Sequence, residues 1–143
     1  MSVRSIIGVL GGIVIISLLG QLLEVPLVNA FAAEPITDLN GYLAVRNQPP
    51  IHIALLAIAA ITGVLAGYMV AKIAGQYELR HAAFAAGLQA LLLIRGFAAE
   101  DAAAAFPAWL RLGLVLVTVA AMLLGAAVRA RAVILAPSNE VES

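Results

Sequence analysis

A few polar and ionisable side chains interrupt the long apolar stretches of this sequence, and such residues are the first candidates for chemistry. Ser17, Gln21 and Glu24 have the i, i+4 and i+7 spacing that places three side chains on one face of a helix. An acid and an amide on one face could line a transport path. The full set of polar side chains in apolar stretches that we consider is Gln21, Glu24, Gln89, Arg95 and Arg111.

The charged members of this set suggest an ion pair. We predict that Glu24 pairs with Arg95 or Arg111 and so links the first apolar stretch to the third or fourth. In the alternative, each side chain extends separately to the lipid headgroups. Gln89 lies near the middle of its stretch, where we expect it to hydrogen-bond to a neighbouring helix or a backbone carbonyl. Contact of Gln89 with a substrate is the less favoured interpretation.

The sequence lacks the patterns of catalytic and metal sites. His52 and His81 begin two different apolar stretches and lie a membrane thickness apart, so one copy of the chain cannot use both on one metal or haem. Either alone could ligate a pigment or a haem edge, although a capping or headgroup-facing role is commoner. The absence of cysteine excludes disulfides, thiolate zinc sites and cysteine-ligated iron–sulfur clusters. We expect no catalysis, no metal and no cofactor.

The composition indicates the environment of these residues. Of the 143 residues, 64% are hydrophobic and only 11% are charged, whereas soluble domains carry about 25% charged residues. With a mean hydropathy of +1.07, the chain is an integral membrane protein with membrane lipids around it. Eight basic residues balance eight acidic ones, so no basic excess points to nucleic acid. The length predicts one domain, residues 1–143.

Four apolar stretches are long enough to cross a bilayer core of about 30 Å as helices. The sequence therefore predicts an all-α, four-transmembrane-helix bundle with helices at about residues 5–29, 51–74, 80–99 and 107–130. Short interfacial helices are expected in the outer loops. One is capped by Thr37 or Asp38 and runs to Val45, and another begins at Glu100. Gly75 is suited to ending the second long helix before a tight turn.

The distribution of basic residues predicts the orientation. With four spans, Arg4, Lys72, Arg80, Arg129 and Arg131 share one side, and only Arg46, Arg95 and Arg111 share the other. The positive-inside rule then places both termini in the cytoplasm of a cell with an inner membrane. Residues 30–32, Ala-Phe-Ala, also resemble a signal-peptide cleavage site. The preceding apolar run is longer than usual for a signal peptide, so we expect the first helix to be retained.

Small residues recur at the spacing that lets helix backbones approach closely in a membrane. These helix-packing positions are Gly8, Gly12, Ala59, Gly63, Gly67, Ala71, Gly75, Ala121 and Gly125. Packing inside the bundle is the simplest interpretation, and docking of a second copy or another protein is the alternative. Together with the scarcity of polar groups, these faces favour an accessory or interaction subunit. The alternative function is a small homo-oligomeric transporter or channel that uses Glu24, Gln89 and Arg95.

The segment from Gly67 to Gly75, GYMVAKIAG, followed by ELRHA at residues 78–82, carries a resemblance. It resembles small bacterial four-helix inner-membrane proteins of unknown function, in which a helix with this ending leads through a short basic turn into the next helix. Arg46-Asn-Gln-Pro49 fits the same pattern. The resemblance implies a bacterial inner-membrane protein and brings with it no activity and no catalytic residue.

Overall fold

The computed structural model describes residues 3–98 and 106–135. Within these ranges the chain forms five helices: α1 Val3–Phe31, α2 Leu39–Arg46, α3 Pro49–Ala74, α4 Glu78–Phe97 and α5 Ala108–Leu135. The all-α prediction is therefore confirmed. The second predicted interfacial helix, at Glu100, lies outside the described residues.

Three of the helices are long and apolar enough to cross a membrane: α1, α3 and residues 108–133 of α5. The chain thus has the features of a multi-pass membrane protein. The predicted fourth span is not supported on this measure. The helix itself is present as α4, but its hydropathy is lower than that of the other three long helices. The residues that lower it are Glu78, Arg80 and Arg95 in the two terminal turns and Gln89 between them.

The predicted helix ends are found at two loops. Asp38 caps α2, because its side-chain oxygen accepts a hydrogen bond from the N–H of Gly41 at 2.7 Å. Gly75 ends α3 in the left-handed conformation with φ of 67°, which glycine adopts without a steric penalty. α3 also begins with two prolines. In the first turn of a helix a backbone N–H group has no partner within the helix, so the N–H groups that proline lacks are not needed there.

α3 lies at the centre of the bundle and packs closely against α5 and α1. A Cβ atom added at Gly67 would overlap the backbone of Met122, and one added at Gly125 would overlap the backbone of Val64. The α3–α5 seam, as we call the contact at these glycines, therefore brings two backbones together. Between α1 and α3, Gly12 lies against the side chain of Val70, and a Cβ atom added there would overlap the Val70 Cγ2 methyl group.

α4 completes the bundle through small buried residues. Ala82, Ala85 and Ala86 are almost fully buried and join the core that α1, α3 and α5 share. At the other end of the bundle, α2 lies against the end of α1 and the start of α3, around a second cluster of Val28, Ile51 and Leu55. Between these two regions the packing is incomplete, and α1 and α4 enclose a cavity together with α3 and α5.

Candidate functional site

The cavity has a volume of about 290 Å³ and is lined by all four long helices, with Arg46 of α2 at one end. Its polar lining consists of Ser17, Gln21, Glu24, Arg46, Thr62, Gln89 and Thr118. Its apolar lining includes Ile16, Leu55, Ile58, Leu93, Phe97 and Leu114. A mostly apolar hollow with a few convergent polar groups is typical of a small-molecule site.

An ion pair lies at the α2 end of the cavity. The guanidinium of Arg46 contacts the carboxylate of Glu24, and both side chains are about 85% buried, with 14% and 15% of their surfaces exposed. The hydroxyl of Tyr42 donates a further hydrogen bond to Glu24 Oε1 at 3.1 Å. Arg46 also lies over the ring of Phe106, with its Cζ 4.1 Å from the ring centre. α2 is therefore tied to the end of α1.

The predicted pairing of Glu24 was wrong in its partner. Tyr42 and Arg46 are one turn apart on α2, so both point toward the same acid. Arg95 instead lies on an exposed face of α4 and does not line the cavity. Arg111 is half-buried at the start of α5 and donates a long hydrogen bond, 3.5 Å, to the carbonyl of Phe97.

Gln89 occupies the inner part of the cavity. Its side chain is only 8% exposed, and its Oε1 has no hydrogen-bond partner among the described residues. The hydrogen bond that we expected from Gln89 to a neighbouring helix or a backbone carbonyl is therefore not made by this oxygen. Thr62, on α3, is satisfied within its own helix, because its hydroxyl donates to the carbonyl of Ile58 at 2.8 Å. A buried amide oxygen without a partner is costly, and the residue that carries it lines the cavity.

The α1 wall of the cavity is incomplete. Ser17 and Gln21 both line the cavity and are exposed on the surface of the bundle. Between them, Gly20 also borders the cavity, and a Cβ atom added to it would meet nothing within 4 Å. The cavity therefore reaches the surface along α1.

Tyr42 lies at the α2 end of the cavity, on the short helix outside the three candidate spans, and its pKa reflects the charges there. Burial raises the pKa of the Tyr42 phenol, and the negative charge and hydrogen bond of Glu24 raise that pKa further, while Arg46 opposes the shift. The phenol therefore stays protonated and keeps donating to the carboxylate. Glu24 has a neutral donor and a cation as partners.

The two histidines lie at opposite ends of the bundle. His52 is buried at the start of α3, with its ring edge-on to Trp109 at 5.6 Å between centres. His81 is in the first turn of α4, where its Nδ1 is 3.1 Å from the carbonyl of Tyr77. Among the described residues no group of three or more His, Cys, Asp or Glu side chains is placed to hold a metal.

Sequence reasoning missed Arg46 as a site residue, as well as Thr62 and Thr118. Arg46 was counted toward membrane orientation and toward the resemblance, but not as a site residue. A usable signal was present, since Tyr42 and Arg46 have i, i+4 spacing on a predicted surface helix and must face the same way. The two threonines carry no such signal, because a threonine in an apolar helix usually bonds to its own backbone.

Comparison with known proteins gives no relatives: no protein family, no curated protein and no solved structure matches the chain. The cavity and its residues are therefore the basis for inferring the function of the protein.

Proposed function

We propose that the protein binds a small molecule in the cavity and belongs to the class of small membrane transporters. Three polar side chains line a single cavity: Gln21 and Glu24 of α1 and Gln89 of α4. Gln21 and Gln89 are 68 positions apart in the sequence, and their convergence is the observation that supports this proposal. A transport path needs such convergent polar groups within apolar walls. Arg95 lies outside the cavity and has no part in the proposal.

The accessory-subunit role remains a prediction with less support. It relied on the small-residue faces and on the scarcity of buried polar groups. Gly12, Gly63, Gly67 and Gly125 lie inside the bundle, where each faces another helix of the same chain, so these positions are not available to dock a partner. Self-association would have to use other surfaces, such as the exposed face of α4 around Gly87. The proposal keeps the expectation that the chain catalyses no reaction of its own.

We further propose that α4 crosses the membrane within the bundle as a fourth span. Its 20 residues extend about 30 Å, the thickness of the bilayer core. Its most polar inner residue, Gln89, faces the cavity, so lipid is spared contact with it. Four spans place both termini on one side of the membrane, and the positive-inside rule assigns this side to the cytoplasm. The membrane itself would be a bacterial inner membrane, as the resemblance of the sequence implies.

Cysteine labelling tests the transport proposal, and the native chain has no cysteine to interfere. Gln21→Cys and Gln89→Cys are made singly, and the protein in vesicles is treated with a charged methanethiosulfonate reagent. Only a thiol in contact with water forms the reactive thiolate. We expect both positions to react, and the reaction at position 89 to slow when Gly20→Leu is added, because a leucine there fills the cavity.

Two control variants define the unreactive limits. Leu18→Cys lies on the outer face of α1, where 59% of the leucine is exposed to the membrane side, and Val70→Cys lies in the fully buried core. Reaction at position 89 no faster than at position 70 would mean that the cavity is dry. That result would overturn the transport proposal and return the accessory role to first place.

A further inference from the structure

We infer that the ligand of this cavity is an uncharged, largely apolar molecule that carries a hydroxyl group, with the hydroxyl at Gln89 and the apolar part along the α3 and α5 walls. This inference rests on the proposed function and adds the chemical class of the ligand. It follows from three features of the cavity: its charge, the buried amide of Gln89 in its lining and its apolar walls.

The charge of the cavity is balanced before any ligand binds. Glu24 and Arg46 contact each other, and both line the cavity. No other charged side chain among the described residues borders it. An ionic ligand would therefore leave water without gaining a counter-charge, which is strongly unfavourable in an apolar site. A neutral molecule meets no such penalty.

The buried amide belongs to Gln89, whose side chain lines the cavity, is 8% exposed and has an Oε1 atom without a partner among the described residues. A ligand can pair with an amide through a donor or through an acceptor. A hydroxyl suits it better than an amine, because the hydroxyl both donates to the amide oxygen and accepts from the amide nitrogen. It therefore fits the site whichever way the amide is turned.

Most of the remaining lining surface of the cavity is apolar. Leu55 and Ile58 of α3 and Leu114 of α5 form an apolar wall. The volume of about 290 Å³ is at the lower end of the range for ligand sites, about 300–1,000 Å³. Since the α1 wall is open at Ser17 and Gln21, a lipid-soluble alcohol has a direct way in from the membrane.

Three probes of equal chain length separate these features: 1-octanol, octane and octanoate. The full chain, purified in a non-ionic detergent, is heated with increasing amounts of each probe, and the dissociation constant is obtained from the rise in Tm. We expect 1-octanol to bind about tenfold more tightly than octane, the gain of one good hydrogen bond. We expect octanoate at neutral pH to bind more weakly than both.

Two variants assign the binding to the cavity and to the amide. Gln89→Leu should weaken 1-octanol about tenfold and leave octane unchanged, so that the two probes become equal. Gly20→Leu should abolish binding of all three probes. Gly11→Leu is the matched control, since Gly11 is on the same helix, has equally open space and does not line the cavity. It should behave like the native chain.

The outcomes separate the inference from the proposed function. If Gly20→Leu and Gly11→Leu respond identically to every probe, the cavity binds none of them and both ideas fail. If Gly20→Leu abolishes binding but octane or octanoate equals 1-octanol in the native chain, the cavity binds ligands and only the inferred class is wrong. The same conclusion follows if Gln89→Leu leaves the preference for 1-octanol unchanged.

Discussion

The two halves of α3 pack in opposite ways. In its second half, the α3–α5 seam brings backbones into contact, and glycines leave no room for a single added carbon. In its first half, α3 lines a cavity of about 290 Å³ together with α1, α4 and α5, and a carbon added at Gly20 of α1 would meet nothing within 4 Å. Because lipid is as apolar as leucine, close packing holds membrane helices together. We therefore expect the seam to contribute more to the stability of the bundle than the part that surrounds the cavity.

The largest expected effect tests the seam directly. Gly67→Ala and Gly125→Ala each force a Cβ atom into a facing backbone that cannot move aside as a side chain can. We expect each to lower the free energy of unfolding by about 3 kcal/mol, measured by titration from non-ionic detergent into dodecyl sulfate. Gly87→Ala, where the added carbon meets nothing within 4 Å, is the control and should change stability by less than about 0.5 kcal/mol. An equal loss of stability at all three positions would contradict the contrast between the tightly packed seam and the open positions of the bundle.

An intermediate effect is expected at the ion pair of Glu24 and Arg46, which links α2 to the end of α1 beside the cavity. Glu24→Gln and Arg46→Gln each leave one charge mostly buried without its partner, which costs about 3 kcal/mol. The double variant leaves no such charge, so it should lose much less than the sum of the two. The same unfolding titration measures all three.

Arg95→Gln is the control for this pair, because Arg95 is exposed and does not touch Glu24. It should shift stability by less than about 0.5 kcal/mol. Additive losses for Glu24 and Arg46, or coupling of Glu24 to Arg95, would show that the pair assigned to the cavity end is incorrect.

The smallest effect concerns pH. The pKa of Tyr42 is raised above its usual value of 10.0, first by burial and then by Glu24. The phenol therefore adds stability that is complete below that value and is lost as pH rises through the raised pKa. As the pH rises above about 10, the native chain should lose more stability than Tyr42→Phe does. Tyr77→Phe, at a position 69% exposed, should follow the native chain. Parallel curves for all three would contradict the contact between Tyr42 and Glu24.

Much of the helical framework was available from the sequence, since apolar stretches and capping residues are local signals. Asp38 and Gly75 were identified as helix ends, and the long helices lie where the stretches predict them, within a few residues. The sequence did predict close packing between helices, because glycines at every fourth position allow two helix backbones to approach closely. Which helix would face those glycines was not foreseeable, because spacing alone does not give the rotation of a neighbour.

The site was harder to predict for the same reason. Glu24 was identified correctly as a paired acid, but Arg95 and Arg111 were favoured because they lie in long helices at the right depth. The true partner, Arg46, comes from a short helix whose direction depends on how it rests on the ends of α1 and α3. The convergence of Gln21, Glu24 and Gln89 on one cavity likewise depends on helix rotation. The apolarity of α4 was overestimated, because the charged residues of its terminal turns, Glu78, Arg80 and Arg95, lower its hydropathy.

The contact between Glu24 and Arg46 has an electrical consequence. A transmembrane potential acts on a moving charge with about 2.3 kcal/mol per 100 mV for each elementary charge. Because the acid and the base contact each other, a motion that carries both moves no net charge through the field. In the transporter that we propose, we therefore expect a movement of this pair as a unit to be independent of the membrane potential.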